Sequence, residues 1–244
     1  MLTSLQNNCK GTAVSLSARL SAIAESLPRG GTICDVGSDH GILPLYLVQK
    51  GLVAHTLVTD LNDQPLERAK KAFREAGVFD KADFILTDGI LDVLSYSPDA
   101  YVIAGMGGET ISGILLRALS GIPKETFFAF QPMTKQGELR EFLYRNGFRI
   151  SDEKAVSENG KSFLLIFAFF DGIKRIPSED EVLFGEFLPY KKDAETADHF
   201  DKLLKSMEKK KLGKIKAKLS VNEDERRIER IISILEGIHE DSRD

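Results

Sequence analysis

Apolar and polar positions change their rhythm near residue 172. Before it, short apolar runs alternate with stretches in which apolar residues recur every three to four positions. Leu16, Leu20, Ile23 and Leu27 predict an amphipathic helix over residues 14–27, stopped by Pro28 and the glycines at 30–31. Strands are predicted over 32–36, 54–60, 84–86, 100–104 and 127–130, and helices over 43–50, from about 63 to 76, over 109–119 and over 136–145. The helix after the second strand has Asn62 or Asp63 as its cap, Pro65 in its first turn and Gly77 beyond its end. Two further strands, 149–156 and 162–170, flank an Asn159-Gly160 turn of the kind that closes a hairpin. Strand–helix alternation predicts a parallel, doubly wound α/β sheet, and the terminal hairpin gives it a reversed last strand.

Beyond residue 173 the strands cease. Ile176-Pro177 and Leu188-Pro189-Tyr190 read as a linker. Phe200, Leu203, Leu204, Met207, Ile215 and Leu219 form one helical stripe, and Ile228, Ile231, Ile232, Leu235 and Ile238 a second. The expected division is therefore 1–172 for the α/β domain and 173–244 for a linker with a helical, coiled-coil arm.

Composition adds exclusions. The 244 residues are 42% hydrophobic and 29% charged, an ordinary globular balance, and the net charge of −4 rules out a wholly basic nucleic-acid coat. The longest apolar run, Phe163–Phe170, is far too short to span a membrane, and Met1–Gly11 has no basic-then-apolar signal pattern. Cys9 and Cys34 make no disulfide framework, and Cys34 falls in a buried-strand pattern as a small hydrophobe. A reduced, soluble, cytoplasmic protein is expected.

Candidate chemistry gathers at the predicted strand ends, where ligands bind in a doubly wound sheet. Asp35-Val36-Gly37-Ser38-Asp39-His40-Gly41 follows the first strand, with Gly-x-x-x-Gly spacing rather than the pattern that cradles a dinucleotide pyrophosphate. An acid ahead of the glycine repels phosphate and suits an amine or sulfonium, as in S-adenosylmethionine (SAM). Asp60 and Leu61 end the second strand, where a carboxylate can accept from ribose hydroxyls or else cap the next helix. Asp88-Gly89 follows the third, positioned for an adenine amine or as a helix cap. Gly105-Met106-Gly107-Gly108 and Gln131-Pro132-Met133 follow the fourth and fifth, giving a base room, an apolar face and an amide edge, or merely a helix start and a strand stop. The four histidines (His40, His55, His199, His239) are scattered, so no metal is expected. No nucleophile elbow or Walker loop occurs. Between Lys202 and Lys218 stand eight lysines against one acid, Glu208, which suits a phosphate backbone or a solvated helix face.

Asp35–Gly41 with Leu43-Pro44, Gly105–Gly108, Gln131-Pro132, Glu158-x-Gly160-Lys161 and Phe184-Gly185-x-Phe187-Leu188 resemble the bacterial TrmK family along essentially the whole chain. The resemblance implies a class I (Rossmann-like) methyltransferase domain with a C-terminal coiled-coil domain, using SAM to methylate N1 of adenine 22 in tRNA. It makes Asp39 the expected catalytic residue. With the cofactor laid across the strand ends, SAM contacts are expected from Asp35, Gly37, Ser38, His40, Asp60, Leu61, Asp88, Gly89, Gly105 and Met106. The substrate would meet Gly107, Gly108, Gln131, Pro132, Met133, Lys209, Lys210 and Lys211. Three departures stand out: Gly41 where members commonly have Ala, Met133 where they have Asn, and Asp60 where they have Glu. The N1 lone pair lies on the pairing edge, so the base must be unpaired or flipped before transfer. Asp39 could bond the exocyclic amine as N1 becomes cationic, with His40 orienting it. A methyltransferase of the same fold acting on another RNA position or a small molecule is the alternative. So is a non-catalytic RNA-binding module that retains the SAM pocket. A monomer or weak dimer without metal or membrane partners is expected.

Overall fold

The computed structural model describes residues 14–38 and 40–240; Glu240 is described by its backbone alone. Seven strands form one sheet in the order β3-β2-β1-β4-β5-β7-β6. They are β1 (Thr32–Val36), β2 (His55–Asp60), β3 (Ala82–Leu86), β4 (Ala100–Gly107), β5 (Thr126–Thr134), β6 (Phe148–Glu158) and β7 (Lys161–Phe170). β1 to β5 pair in parallel, whereas β7 runs antiparallel to both β5 and β6. The doubly wound sheet with its reversed strand is therefore as expected.

Alternation along each strand sorts the core into two faces. Ile33, Val58, Val102, Ala129 and Phe167 point to one face, which is covered by α1 (Ala18–Ser26), α2 (Ile42–Gln49) and α3 (Asp63–Glu75) through Ile23, Leu45 and Phe73. Cys34, Leu57, Tyr101, Phe128 and Ile166 point to the other. That face is covered by α4 (Gly108–Ala118), α5 (Gln136–Arg145), α7 (Ala194–Lys216) and α8 (Asn222–Glu240). Cys34 is fully buried, and that burial pushes its thiol well above the ordinary range, in keeping with a hydrophobe's role.

α7 and α8 pack on each other, and Phe200, Ile231, Leu235 and Ile238 join the same apolar cluster as the sheet. The segment expected to be a plain linker contains α6 (Glu179–Leu183), opened by a Ser178 capping box, and a 3-10 turn at Leu188–Tyr190. No helix among the described residues is long and apolar enough to cross a membrane.

Several boundaries differ from expectation. The first helix begins at Ala18 rather than residue 14. β4 runs on through Gly105-Met106-Gly107, and β5 through Gln131-Pro132-Met133, segments expected to lie beyond their strands. The two extensions pair with each other, Met106 with Pro132 and Gly107 with Thr134, through two register shifts. Pairing across the sheet overrides the poor strand propensity of Gly and Pro, and the irregularities absorb the misfit.

Candidate active site

At the carboxyl edge of β1 the chain turns at Gly37, whose φ of +70° lies in the left-handed region open to glycine. Gly37 N and Ser38 N both donate to Thr59 O at 2.9 Å, which pins the turn to the end of β2. A Cβ on Gly37 would collide with Met106 Cε, so the glycine lets β4 approach this turn. Around it lies a cavity of about 390 Å³ lined by Asp35, Gly37, Ser38, His40 and Gly105 and by a residue absent from the expected set, Arg19.

Asp35 is buried, and that burial, opposed by a hydrogen bond from Ser38 and reinforced by the nearby Asp60 carboxylate, raises its carboxyl to about 6. Among the described residues no cation forms an ion pair with it, although Arg19 lines the same cavity. A buried carboxylate of this kind favours a cationic ligand over a phosphate, and the turn beside it leaves room for one. Asp60, also buried, ends β2, and its Oδ1 accepts from Asn62 N at 2.8 Å. Leu61 is exposed at that same edge. Asp88 Oδ1 accepts from Arg117 Nη2 at 3.0 Å, beside Gly89. His40 Nδ1 accepts from Arg68 Nε at 3.1 Å. Asp39, the expected catalytic residue, lies outside the described residues, between Ser38 and His40 in the chain.

Gly107 ends β4 and Gly108 opens α4 at the same edge. Gln131 is fully buried: its Oε1 accepts from Arg19 Nη1 at 2.9 Å, and its Nε2 donates to Met133 Sδ at 3.3 Å. The amide expected to read a base edge is thus already engaged, while Met133 is exposed. Arg19 also faces Glu158 at 3.5 Å and lies over the Phe163 ring at 5.2 Å. Its contacts are more than a hundred residues away in the chain, so no local spacing marks it; only its place on the first helix of a doubly wound fold hints at the pocket.

The lysine run divides by direction. Lys209 and Lys210 are exposed on α7, but Lys211 pairs with Glu225 at 2.8 Å and Lys214 with Asp224, both on α8.

A mainly parallel sheet with a reversed β7 and an acid-lined cavity at its carboxyl edge define a methyltransferase domain, and the family model described as "Methyltransferase domain" matches residues 16–166. The curated tRNA (adenine(22)-N(1))-methyltransferase of Bacillus subtilis (strain 168) is 30% identical over 186 residues, covering 73% of this chain and 77% of that protein. The crystal structure of the B. subtilis M1A22 tRNA methyltransferase TrmK matches with a TM-score of 0.75 at 26% identity, covering 93% of this chain and 98% of that one. M. capricolum TrmK, solved with S-adenosyl-homocysteine, matches with a TM-score of 0.75 at 25% identity, over 91% of this chain and 99% of that one. The chain belongs to the TrmK family of tRNA (adenine(22)-N1)-methyltransferases.

Proposed function

We propose that this protein transfers a methyl group from SAM to N1 of adenine 22 in tRNA, acting in the cytoplasm. The observation that carries the reading is the buried Asp35 carboxyl, without an ion pair among the described residues, in a cavity at the carboxyl edge of a chain of this family. The residues present fit the cofactor. Asp35 suits its amino group, Gly37, Ser38, His40, Gly105 and Met106 would hold its methionine end, Asp60 beside Leu61 would suit the ribose, and Asp88 with Gly89 the adenine amine. When bound, SAM supplies an electrophilic methyl group.

The protein's own task is to hold the two partners in line and to keep water out. N1 is neutral at pH 7 and needs no base in order to attack. Asp39 then stabilises the positive charge that develops on the adenine ring by accepting from its exocyclic amine. Gly107 and Gly108 leave room for the base, Met133 and Pro132 offer it an apolar wall, and Gln131 acts through Arg19. Lys209 and Lys210, with Lys211 behind them, meet the phosphate backbone.

Incubation with methyl-labelled SAM and an unmodified tRNA transcript, followed by nuclease digestion and mass spectrometry, tests the assignment. Label on N1 of adenine 22 is expected. Label at another position would discard the target and direct attention to Met133. Cofactor binding without transfer would overturn the enzymatic reading in favour of an RNA-binding module.

A further inference from the structure

A second cavity, of about 350 Å³, opens on the same edge of the sheet, lined by Pro132, Met133, Lys161, Ser162, Phe163 and Lys202. β7 runs antiparallel to β5, so the turn that precedes it, Glu158–Lys161, stands beyond the carboxyl end of β5, next to the acid-lined cavity. The two cavities share a wall. Arg19 lines the first, Phe163 lines the second, and the guanidinium lies over the ring.

Their linings differ in charge. The first holds the buried Asp35 together with Arg19, whereas the second holds Lys161 and Lys202 with no acid in its lining. Lys161 is exposed and makes no ion pair among the described residues. Lys202 Nζ is held by Gly160 O at 2.9 Å and Asp198 at 2.7 Å. Ser157 Oγ donates to the same Asp198 at 2.9 Å, and Ser162 Oγ lies 3.1 Å from His199 Nδ1. Burial lowers His199 to about 4, so this ring is neutral at pH 7. These bonds fasten the turn to α7, and the cavity is thereby formed in advance of any ligand.

From Lys202, lysines 205, 209 and 216 follow at intervals of three, seven and fourteen residues, which puts all four on one face of α7 over about 21 Å. Lys205, Lys209 and Lys216 are exposed.

We propose that this second cavity is a subsite for the RNA phosphodiester next to the target nucleotide. Lys161 meets the phosphate, Phe163 and Met133 offer apolar faces to the neighbouring base, and the α7 stripe carries the strand away. A lysine ammonium suits a phosphate, and the exposed Met133 thioether beside the half-buried Phe163 ring accepts any base without sequence preference. The proposal rests on RNA being the substrate. It gives the Glu158-x-Gly160-Lys161 segment a role that cofactor binding does not.

Direct binding of a fluorescent, unmodified tRNA transcript to Lys161→Ala, Lys161→Arg and Lys174→Ala tests it. Lys174 lies past the far end of β7, so its loss removes the same charge from the wrong place. Lys161→Ala is expected to weaken tRNA binding about 3- to 10-fold and to lower the slope of log affinity against log salt by about 0.7–0.9, with SAM affinity unchanged. Lys161→Arg should restore binding and Lys174→Ala should leave it intact. Wild-type tRNA affinity and salt slope in Lys161→Ala, or an equal loss in Lys174→Ala, would overturn the subsite. Methyl transfer by the wild-type protein is measured separately. A protein that binds tRNA through Lys161 but transfers nothing would defeat the proposed activity and leave the subsite standing.

Discussion

Two regions of this molecule bury charge, and they do so in opposite ways. In the seam between α5, β6 and the segment after β7, Arg140 and Glu153 are 2% and 0% exposed and meet at 2.7 Å. Arg140 Nη1 also donates to Val182 O and Leu183 O, at 3.2 and 3.3 Å, and Glu153 Oε2 accepts from Phe187 N at 3.3 Å. Gly185, at φ +91°, passes so close that a Cβ there would run into the Glu153 carboxylate. In the cavity at the end of β1, by contrast, Asp35 is buried beside another acid and makes no ion pair among the described residues. The saturated pair needs nothing further and serves as a fastener. The unanswered carboxylate costs the protein stability until a cation arrives, and that distinguishes a site from a staple.

The contrast can be broken most forcefully at the seam. Arg140→Ala strands a buried carboxylate and should cost about 3–5 kcal/mol, read as a shift of the urea midpoint. Joint replacement of Arg140 and Glu153 by Leu should cost less than Arg140→Ala alone; a larger loss in the double variant would deny that the pair acts as a unit.

Asp35→Asn should act with the reverse sign. A folded-state carboxyl at about 6 favours folding fully below its ordinary value of 3.8, and that advantage is lost as pH rises through 6. The Asn variant escapes the loss, so at pH 8 the ligand-free variant should be more stable than wild type by about 1–3 kcal/mol, the gap closing by pH 4. The same variant should bind SAM at least tenfold more weakly, and wild-type SAM affinity should rise between pH 5 and 7 as Asp35 ionises. Thermal melts at the two pH values with calorimetric titration of SAM check both halves. A less stable variant at pH 8 would mean that Asp35 is compensated after all.

Gly37→Ala sharpens the comparison with the smallest expected change. It forces an alanine into the left-handed region, at about 1 kcal/mol, and pushes Met106 Cε aside, which a flexible thioether allows. The expected result is a small drop in melting temperature with a clear loss of SAM affinity. Stability and affinity falling in proportion would make the turn structural only.

Much of this organisation was legible in the sequence because it is local. The Asn159-Gly160 turn is a case in point, since both residues adopt φ near +51° and +73°. The acids Asp35, Asp60 and Asp88 follow apolar runs that could only be strands, so their place on one edge could be read directly. What stayed hidden depends on partners distant in sequence. Arg19 and Gln131 find each other across the fold, and nothing in either neighbourhood announces the bond. Lys211 and Lys214 looked like free charge until α8 brought Glu225 and Asp224 alongside. The acids near 223–225 were the available signal, yet an antiparallel register between two helices cannot be assigned without the turn between them.

The two-faced core also sets a timetable for synthesis. The face covered by α1–α3 draws on described residues no later than Phe169, so it can close before residues 200–238 leave the ribosome. The opposite face needs Phe200 and the stripe from Ile231 to Ile238, which are made 30 or more residues after Phe169. For the interval between, α4 and α5 already cover β4 and β5, while the part of this face on β6 and β7 that α7 covers stays open to the cell until α7 and α8 dock.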